Sequence, residues 1–381
     1  MAFLRERSHD VIAKNIFELA ALPARYGDCL WLEYGPADAV NRILVDCGIV
    51  ETWAILKKKI EALPRGRRKF DLLVITHIDA DHVGGALQLL QARRTLGIEF
   101  GEIWFNGRRH LPDDTLGPKE GDALTAELES EDLAPLWNKS TGYGPLSVTD
   151  DGDLPEFEVV GMKLTLLSPG TEQLRRLAAV WPETVRDAGL GGEHRRPQLI
   201  DDMPSDTLGD IPIRDLAMTY TDPDRSPANG SSIAFLAEYD SRSVLFAADA
   251  FAGVLLKTVN RLKELRRSSE LDITLCKLPH HGSKANVTEK LVSALNCRHY
   301  LFSTNGERFR HPDKICVARV IMRSVSPTLY FNYRSEYSKA WDSTELKKAH
   351  GYRVAFLEEK DYRISLYDIT RRGSRQLEFP E

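Results

Sequence analysis

Disulfide chemistry is the first thing this sequence leaves out. Its 381 residues hold five cysteines, Cys29, Cys47, Cys276, Cys297 and Cys316. They form an odd, scattered set without Cys-x-x-Cys spacing, so neither a disulfide framework nor a cysteine zinc site is expected. Long apolar runs are missing too. No stretch approaches the roughly 18 residues of a membrane span, and the polar start from Met1 to Asn15 lacks a secretory apolar segment. The expectation is a cytoplasmic protein with no membrane partner. Nor does one charge dominate: 51 Lys and Arg against 56 Asp and Glu leave a net charge of −5, which argues against a general polyanion binder but leaves room for a local positive groove. There is no internal repeat. With 42% hydrophobic and 28% charged residues, the chain can bury a large core as one elaborated domain or two.

Against these absences stands one dense run, Thr76-His77-Ile78-Asp79-Ala80-Asp81-His82-Val83-Gly84-Gly85, directly after the apolar Leu72, Leu73, Val74 and Ile75. Two imidazoles and two carboxylates at the mouth of a buried strand can converge on a divalent cation, and a stabilising core has little reason to build such a group. Four fixed residues in the pattern His-x-Asp-x-Asp-His arise by chance in roughly one chain in 400 of this length. A polar turn with solvated side chains is therefore the weaker reading.

This segment resembles the signature loop of the metallo-β-lactamase superfamily, His-x-His-x-Asp-His, with Asp79 where the second histidine commonly stands. Further matches follow in order. Arg42 to Gly48 resembles the early strand whose terminal Asp46 supports the site, preceded by Tyr26-Gly27-Asp28-Cys29. Ser243 to Asp249 resembles the strand delivering the metal-bridging aspartate, and Lys277-Leu278-Pro279-His280-His281-Gly282-Ser283-Lys284 resembles a loop of the competence DNA-uptake (ComEC-like) branch, which also carries the Asp-for-His exchange. The resemblance spans most of residues 15 to 312. It implies an αββα metallo-β-lactamase sandwich, an α/β fold of two mixed sheets flanked by helices, with the site at one edge.

Each later motif also has a plain structural reading. Asp249 ends an apolar strand, where a lone Asp usually forms a turn or caps a helix. His280 and His281 suit one ligand plus one supporting or substrate-facing imidazole, with His281 favoured as the ligand. Asn229 occupies the region where other members supply a third histidine, so the first metal position is short of a ligand. The resemblance then implies His77 and Asp79 on one side, Asp81, His82 and His281 on the other, and Asp249 between, with Asp46, His280 and Asn229 behind. Oxygen-rich ligands favour Mn²⁺ and admit Mg²⁺ where a histidine-rich site takes Zn²⁺. The expected cofactor is one or two divalent ions, Mn²⁺ or Zn²⁺, holding a hydroxide for hydrolysis. Asp81 and Asp249 are the expected catalytic carboxylates. His311, in the loop Phe302 to Pro312, and Lys284 are candidates for a phosphate oxygen or the leaving group.

The leading expectation is a metal-dependent phosphodiesterase or nuclease with a DNA or RNA substrate, lacking the transmembrane channel of the competence proteins and gated by a protein partner in a multi-gene system. A hydrolase of a small ester, lactone or cyclic nucleotide is the second reading, and a non-catalytic partner-binding module the third. The basic cluster Lys57, Lys58, Lys59, Arg65, Arg67, Arg68 and Lys69 precedes the metal strand. Five residues at about 3.3 Å each place it roughly 17 Å from His77, at the opposite sheet edge, where a solvated face is the better reading. Residues 1–312 are expected to form the hydrolase domain and 313–381 an α/β extension packed on it. Stretches 108–156 and 170–229 are too long for ordinary connections and are expected to be lids, substrate-binding elements or disordered inserts.

Overall fold

Alternation with period two decides how the layers form. In the strand Asn15–Ala21 (β1), Phe17, Leu19 and Ala21 join one apolar cluster while Ala20 joins another. The same switch recurs in Leu30–Pro36 (β2) and Asn41–Val45 (β3), where Leu30, Leu32, Ile43 and Val45 face one side and Trp31 and Leu44 the other. Leu72–Val74 (β4) continues it, Leu72 and Val74 against Leu73. Successive side chains of a strand point to opposite faces, so this sheet is apolar on both sides and must be covered on both.

The computed structural model describes residues 14–112, 123–190 and 212–369. The first sheet also takes in Ile103–Trp104 (β5) beside β4. The second sheet begins with Glu156–Val159 (β6), Met162–Ser168 (β7), Ala234–Tyr239 (β8) and Arg242–Phe246 (β9). It continues through Leu275–Lys277 (β10), His299–Phe302 (β11), Thr328–Phe331 (β12) and Arg353–Phe356 (β13), while Arg363–Ser365 (β14) returns to the first sheet. The six-stranded sheet has the order β14-β1-β2-β3-β4-β5 and the eight-stranded one β13-β12-β11-β10-β9-β8-β7-β6. Both are mixed: β3, β4 and β5 run parallel, as do β9 through β13, and the remaining pairings are antiparallel.

Helices close the outer faces. Thr52–Glu61 (α1), Ala86–Leu96 (α3, after the one-turn Ala80–Val83, α2) and Thr171–Asp187 (α4) bury Leu56, Ile60, Leu89, Leu90, Leu174, Leu177 and Trp181 against the outside of the first sheet. Ala252–Leu265 (α5) and Lys314–Arg323 (α6) cover the second. This is the expected αββα sandwich. The described parts of the two long stretches are folded onto it. Trp137 bridges to Ile103 and donates from Nε1 to the Phe105 carbonyl, and α4 lays its apolar stripe on the first sheet. After Pro312 the chain supplies strands to both sheets, β12 and β13 to one and β14 to the other. No helix among the described residues is long and apolar enough to cross a membrane.

Candidate metal centre

Parallel strands send their carboxyl ends to one edge, and the residues that follow β3, β4, β9, β10 and β11 meet there. In open α/β sheets such ends are where ligands gather. The sheets are tied at this edge by the Ile233 amide, which donates to the Thr76 carbonyl at 2.9 Å. Several of the turning residues are held in the left-handed region without being glycine: Asp46 (φ 60°), Ala248 (47°), His280 (47°) and His281 (53°). That conformation costs on the order of 1 kcal/mol or more each and persists only where the surroundings over-determine it. Here it aims consecutive imidazoles in different directions. Gly27 is needed for a different reason, since a Cβ there would lie 2.0 Å from the Asp81 carbonyl oxygen.

Four imidazoles are each anchored at Nδ1 by a hydrogen-bond acceptor, leaving Nε2 for the centre. His82 Nδ1 meets Asp46 Oδ2 at 2.8 Å, and His281 Nδ1 meets the Ser303 carbonyl at 2.8 Å. His280 Nδ1 lies 2.9 Å from Asn286 Oδ1. His77 Nδ1 lies 3.0 Å from Thr76 Oγ1, whose hydrogen is already donated to Asp46 Oδ2 at 2.8 Å. An anchored Nδ1–H fixes the tautomer in which Nε2 carries the lone pair. His82 Nε2 and His281 Nε2 then face each other at 3.2 Å. Asp249 Oδ1 is 3.4 Å from the former, while Asp81 Oδ2 and Asp249 Oδ2 are 3.5 and 3.8 Å from the latter. His280 Nε2 lies 3.7 Å from Asp249 Oδ2, and His77 Nε2 3.6 Å from Asp79 Oδ2.

Electrostatics shows what the cluster lacks. Burial disfavours a charged His82, yet Asp249 and Asp46 outweigh it and hold the imidazole well above the usual histidine range. Burial likewise opposes charge on His281, but Asp28 and Asp249 raise it to about 9. The carboxylates answer in kind. Burial would raise Asp249 and Asp81, but the neighbouring histidines pull Asp249 well below the carboxylate range and Asp81 down to about 2. The carboxylates thus demand positive charge where two imidazole nitrogens already face each other at hydrogen-bond distance. A proton shared between those nitrogens supplies one positive charge, whereas a divalent cation bound by both would supply two.

The donor set fits a divalent ion. Asp28, His82, Asp249 and His281 each offer one ligand atom, all within 4.8 Å of one another. Among the described residues, His77 Nε2, Asp249 Oδ1 and both Asp28 carboxylate oxygens are buried without a hydrogen-bond partner, and an unmet buried acceptor is costly unless something binds it. Lys277 Nζ pairs with Asp28 Oδ2 at 2.5 Å and donates to the Leu278 carbonyl at 3.0 Å.

The structure brings His77, Asp79, Asp81, His82, Asp249, His280 and His281 to one point, with Asp46 behind His77 and His82. Asp79 is the open side: its side chain is 36% exposed where His77, His82 and His281 are sealed. Asn229 is a support, its amide donating to Asp224 Oδ2 at 2.7 Å. His311 is buried with its ring 5.4 Å from that of His280, and burial together with His280 and His281 holds it well below the usual histidine range. Lys284 is not brought in. It is exposed, and its backbone makes the ties: its N–H donates to Asp313, and its carbonyl accepts from Thr221 and Arg319.

Sequence reasoning missed Asp28 as a possible ligand, although it noted the Tyr-Gly-Asp-Cys turn, and it missed Asp224 and Asn286. Asn286 donates to Asp224 at 2.9 Å and to the Asp249 carbonyl at 3.1 Å, so it holds the turn carrying Asp249 and the His280 ring together. Its only signal was an Asn five residues beyond His281, and Asp224 lay inside a stretch taken for an insert.

Residues 25–172 match the family model described as the metallo-beta-lactamase superfamily. The match runs from the turn before β2 to the start of α4 and takes in His77, Asp79, Asp81 and His82. A match to that superfamily suggests a metal-dependent hydrolase. Among solved structures the chain is similar to the metallo-beta-lactamase fold protein YhfI from Bacillus subtilis, at 12% identity over 90% of this chain and 96% of that one, TM-score 0.39. It is also similar to a Cronobacter sakazakii metallo-beta-lactamase with a HARLDQ motif, at 12% identity, 70% and 79% coverage and TM-score 0.29. A third is the metallo-beta-lactamase MIM-1 from Novosphingobium pentaromativorans, at 12% identity, 80% and 88% coverage and TM-score 0.27. No curated protein matches.

Proposed function

We propose that this chain is a metal-dependent phosphodiesterase that hydrolyses nucleic acid. The observation that carries the hydrolytic reading is the anchoring of four imidazoles by Nδ1, with Nε2 of each turned toward Asp79, Asp81 and Asp249. Asp28, His82, Asp249 and His281 would hold one divalent ion, with Asp81 beside His281. His77, Asp79 and His280 border the open side, where a second would sit. The aspartates add hard oxygen donors, which suit Mn²⁺ among phosphate oxygens, while the imidazoles admit Zn²⁺. The resemblance of the His280-His281 loop to the competence branch supports the same substrate class.

A divalent ion there would supply Lewis acidity toward water and positive charge for the oxygens of an in-line displacement. The chain's own residues do the rest. Asp46 and Ser303 keep His82 and His281 from rotating, and Asp224 and Asn286 do the same for His280. Water oxygen bonds to phosphorus, the phosphorus–oxygen bond to the leaving group breaks, and a proton ends on that leaving oxygen. His311, kept uncharged and with Nδ1 lacking a hydrogen-bond partner, is the group beside His280 that can hydrogen-bond to it. Exposed Lys284, outside the cluster, would offer a cation for a phosphate further along the strand.

The test is cleavage of labelled single- and double-stranded DNA and RNA with Mn²⁺, Mg²⁺, Zn²⁺ or EDTA, with Asp249→Ala as control. Metal-dependent cutting lost in the variant supports the reading. Intact substrates in the presence of demonstrably bound metal would turn it toward a small-molecule hydrolase.

A further inference from the structure

Beside the metal centre two loops from different sheets are bound together. One is the turn 25–28 that precedes β2, and the other is the loop 305–311 that follows β11. The Asn305 amide donates to the Arg25 carbonyl at 2.8 Å, the Arg25 amide donates to the Tyr333 hydroxyl at 2.8 Å, and the Arg25 guanidinium pairs with Glu307. Between them stand Tyr26 and Phe309, ring centroids 6.0 Å apart and nearly perpendicular. Arg308 lies over both rings, 5.3 Å from Tyr26 and 4.7 Å from Phe309. Phe309 is near-parallel to His311 at 6.1 Å, and His311 is 5.4 Å from His280.

These rings are placed unlike most large aromatics of the chain. Trp31, Trp104, Trp137, Phe17, Phe235 and Phe246 are fully buried, whereas Tyr26, Arg308 and Phe309 are each left half-buried. Asp28, two residues from Tyr26, belongs to the metal cluster, and Gly27 between them packs on the Asp81 carbonyl. The aromatic wall therefore begins two residues from Asp28 and runs outward through a cation.

We propose that Tyr26, Arg308 and Phe309 form a stacking subsite for a nucleobase adjoining the scissile phosphate of a single-stranded nucleic acid. The inference rests on the phosphodiesterase reading and deepens it. A half-exposed ring at fixed distance from a hydrolytic centre accepts a base by its π-face whatever the base's identity, and an arginine beside it adds cation–π attraction and a contact for the neighbouring phosphate. Bases in a duplex are already stacked on one another, so such a wall selects unpaired strands.

The experiment uses full-length protein with Mn²⁺ and two single-stranded oligonucleotides, one complete and one with a ring-free abasic residue beside the cleaved phosphate. The complete strand should be cleaved with kcat/KM about 10-fold higher, the difference lying in KM. In Phe309→Leu and Tyr26→Leu that preference should fall toward unity, and Phe309→Trp should keep it. Equal cleavage of both strands by the wild-type protein overturns the subsite, and so does an unchanged preference in both leucine variants. If neither strand is cut although metal is bound, the phosphodiesterase reading fails, and the subsite is then decided by binding. For that, a single strand carrying 2-aminopurine is titrated into Asp249→Ala. Fluorescence quenching that Phe309→Leu removes supports the subsite, and absence of quenching overturns it.

Discussion

The two ends of the first sheet hold comparable densities of charge and use them in opposite ways. At the end preceding β4, the basic cluster is engaged with its own chain. Arg68 donates from Nε, Nη1 and Nη2 to the carbonyls of Leu63, Leu96 and Glu61 at 3.0, 2.8 and 3.0 Å, which closes the C-terminal turns of α1 and α3. Arg65 caps the Thr95 carbonyl, Lys69 pairs with Asp71, and Lys59 lies over Trp31. Helix C-termini leave orphan carbonyls, and a forked guanidinium is well shaped to satisfy them. At the other end, among the described residues, His77 Nε2 and Asp249 Oδ1 are buried without a hydrogen-bond partner, and Asp28 faces the Lys277 ammonium at 2.5 Å. Charge by itself therefore marks neither end as functional; buried imidazole and carboxylate atoms left without hydrogen bonds mark one.

The strongest way to break this comparison is to remove the acceptor at its centre. Asp249→Ala should abolish hydrolysis, by on the order of 10³-fold or more in kcat, while the fold persists, as judged by an unchanged circular dichroism spectrum. A variant retaining a tenth of wild-type turnover would mean that Asp249 is not part of the machinery.

Metal removal is the next largest effect, and its pH dependence carries a sign. The raised value of His281, about 9 through Asp28 and Asp249 working against burial, means that its stabilising charge is fully present below the ordinary histidine value of about 6.5. It is lost as pH climbs through the folded value. Asp81, lowered to about 2, and Asp249 act at the acid end, losing their contribution only as pH falls through their folded values. Metal-stripped protein in EDTA should therefore melt at progressively lower temperature from pH 6.5 to 9. Mn²⁺ or Zn²⁺ at 100 times Kd should flatten that slope and add about 2.7 kcal/mol. A melting temperature in EDTA that stays level across this range would count against the proton-for-metal exchange.

Smaller still is the loss of an anchor. Asp46→Asn keeps the shape but weakens its hold on Thr76 and on His82 Nδ1. Metal affinity should fall about 10- to 100-fold, measured by competition with a chelating dye. Removing the arginine at the other end changes stability instead. Arg68→Ala leaves three helix-end carbonyls to water or unmet, and should cost about 1–2 kcal/mol in urea denaturation with metal affinity unaltered.

Much of this was legible before any coordinates. Apolar residues at helical spacing from Ala86 to Leu96 mark the observed helix, and apolar runs at Phe17, Leu30, Ile43, Leu164, Ser243 and Arg353 mark observed strands. Strong apolar runs and period-two alternation are local signals. Helix α4 was missed although Leu174, Leu177, Ala178, Trp181 and Val185 follow helical spacing, because Pro182 and a polar surround suggested a connection. Helix α5 was not singled out either. His77, Asp79, Asp81 and His82 stand out because they crowd into six residues after an apolar run, and Asp249 and His281 because their strand ends resemble family motifs. Asp28, Asp224 and Asn286 do not, because their roles come from loops that return across the sheet edge, a long-range fact with no local pattern.

The smallest expected effect sharpens the comparison most at the basic end. Among the described residues Lys57 pairs with Glu61 alone, one turn away at 3.9 Å, and both side chains are 46% exposed. Exposed pairs of this kind contribute on the order of 0.5 kcal/mol or less. Lys57→Gln with Lys58→Gln should therefore leave unfolding, metal binding and oligonucleotide affinity unchanged within error. A filter-binding measurement at low salt is the sensitive check, because counterion release makes each lost phosphate contact visible in the salt slope. A slope reduced by about two would place nucleic acid across the α1 face and extend the substrate path to the far end of the sheet. An unchanged slope keeps the path at the metal edge, where the unmet acceptors are.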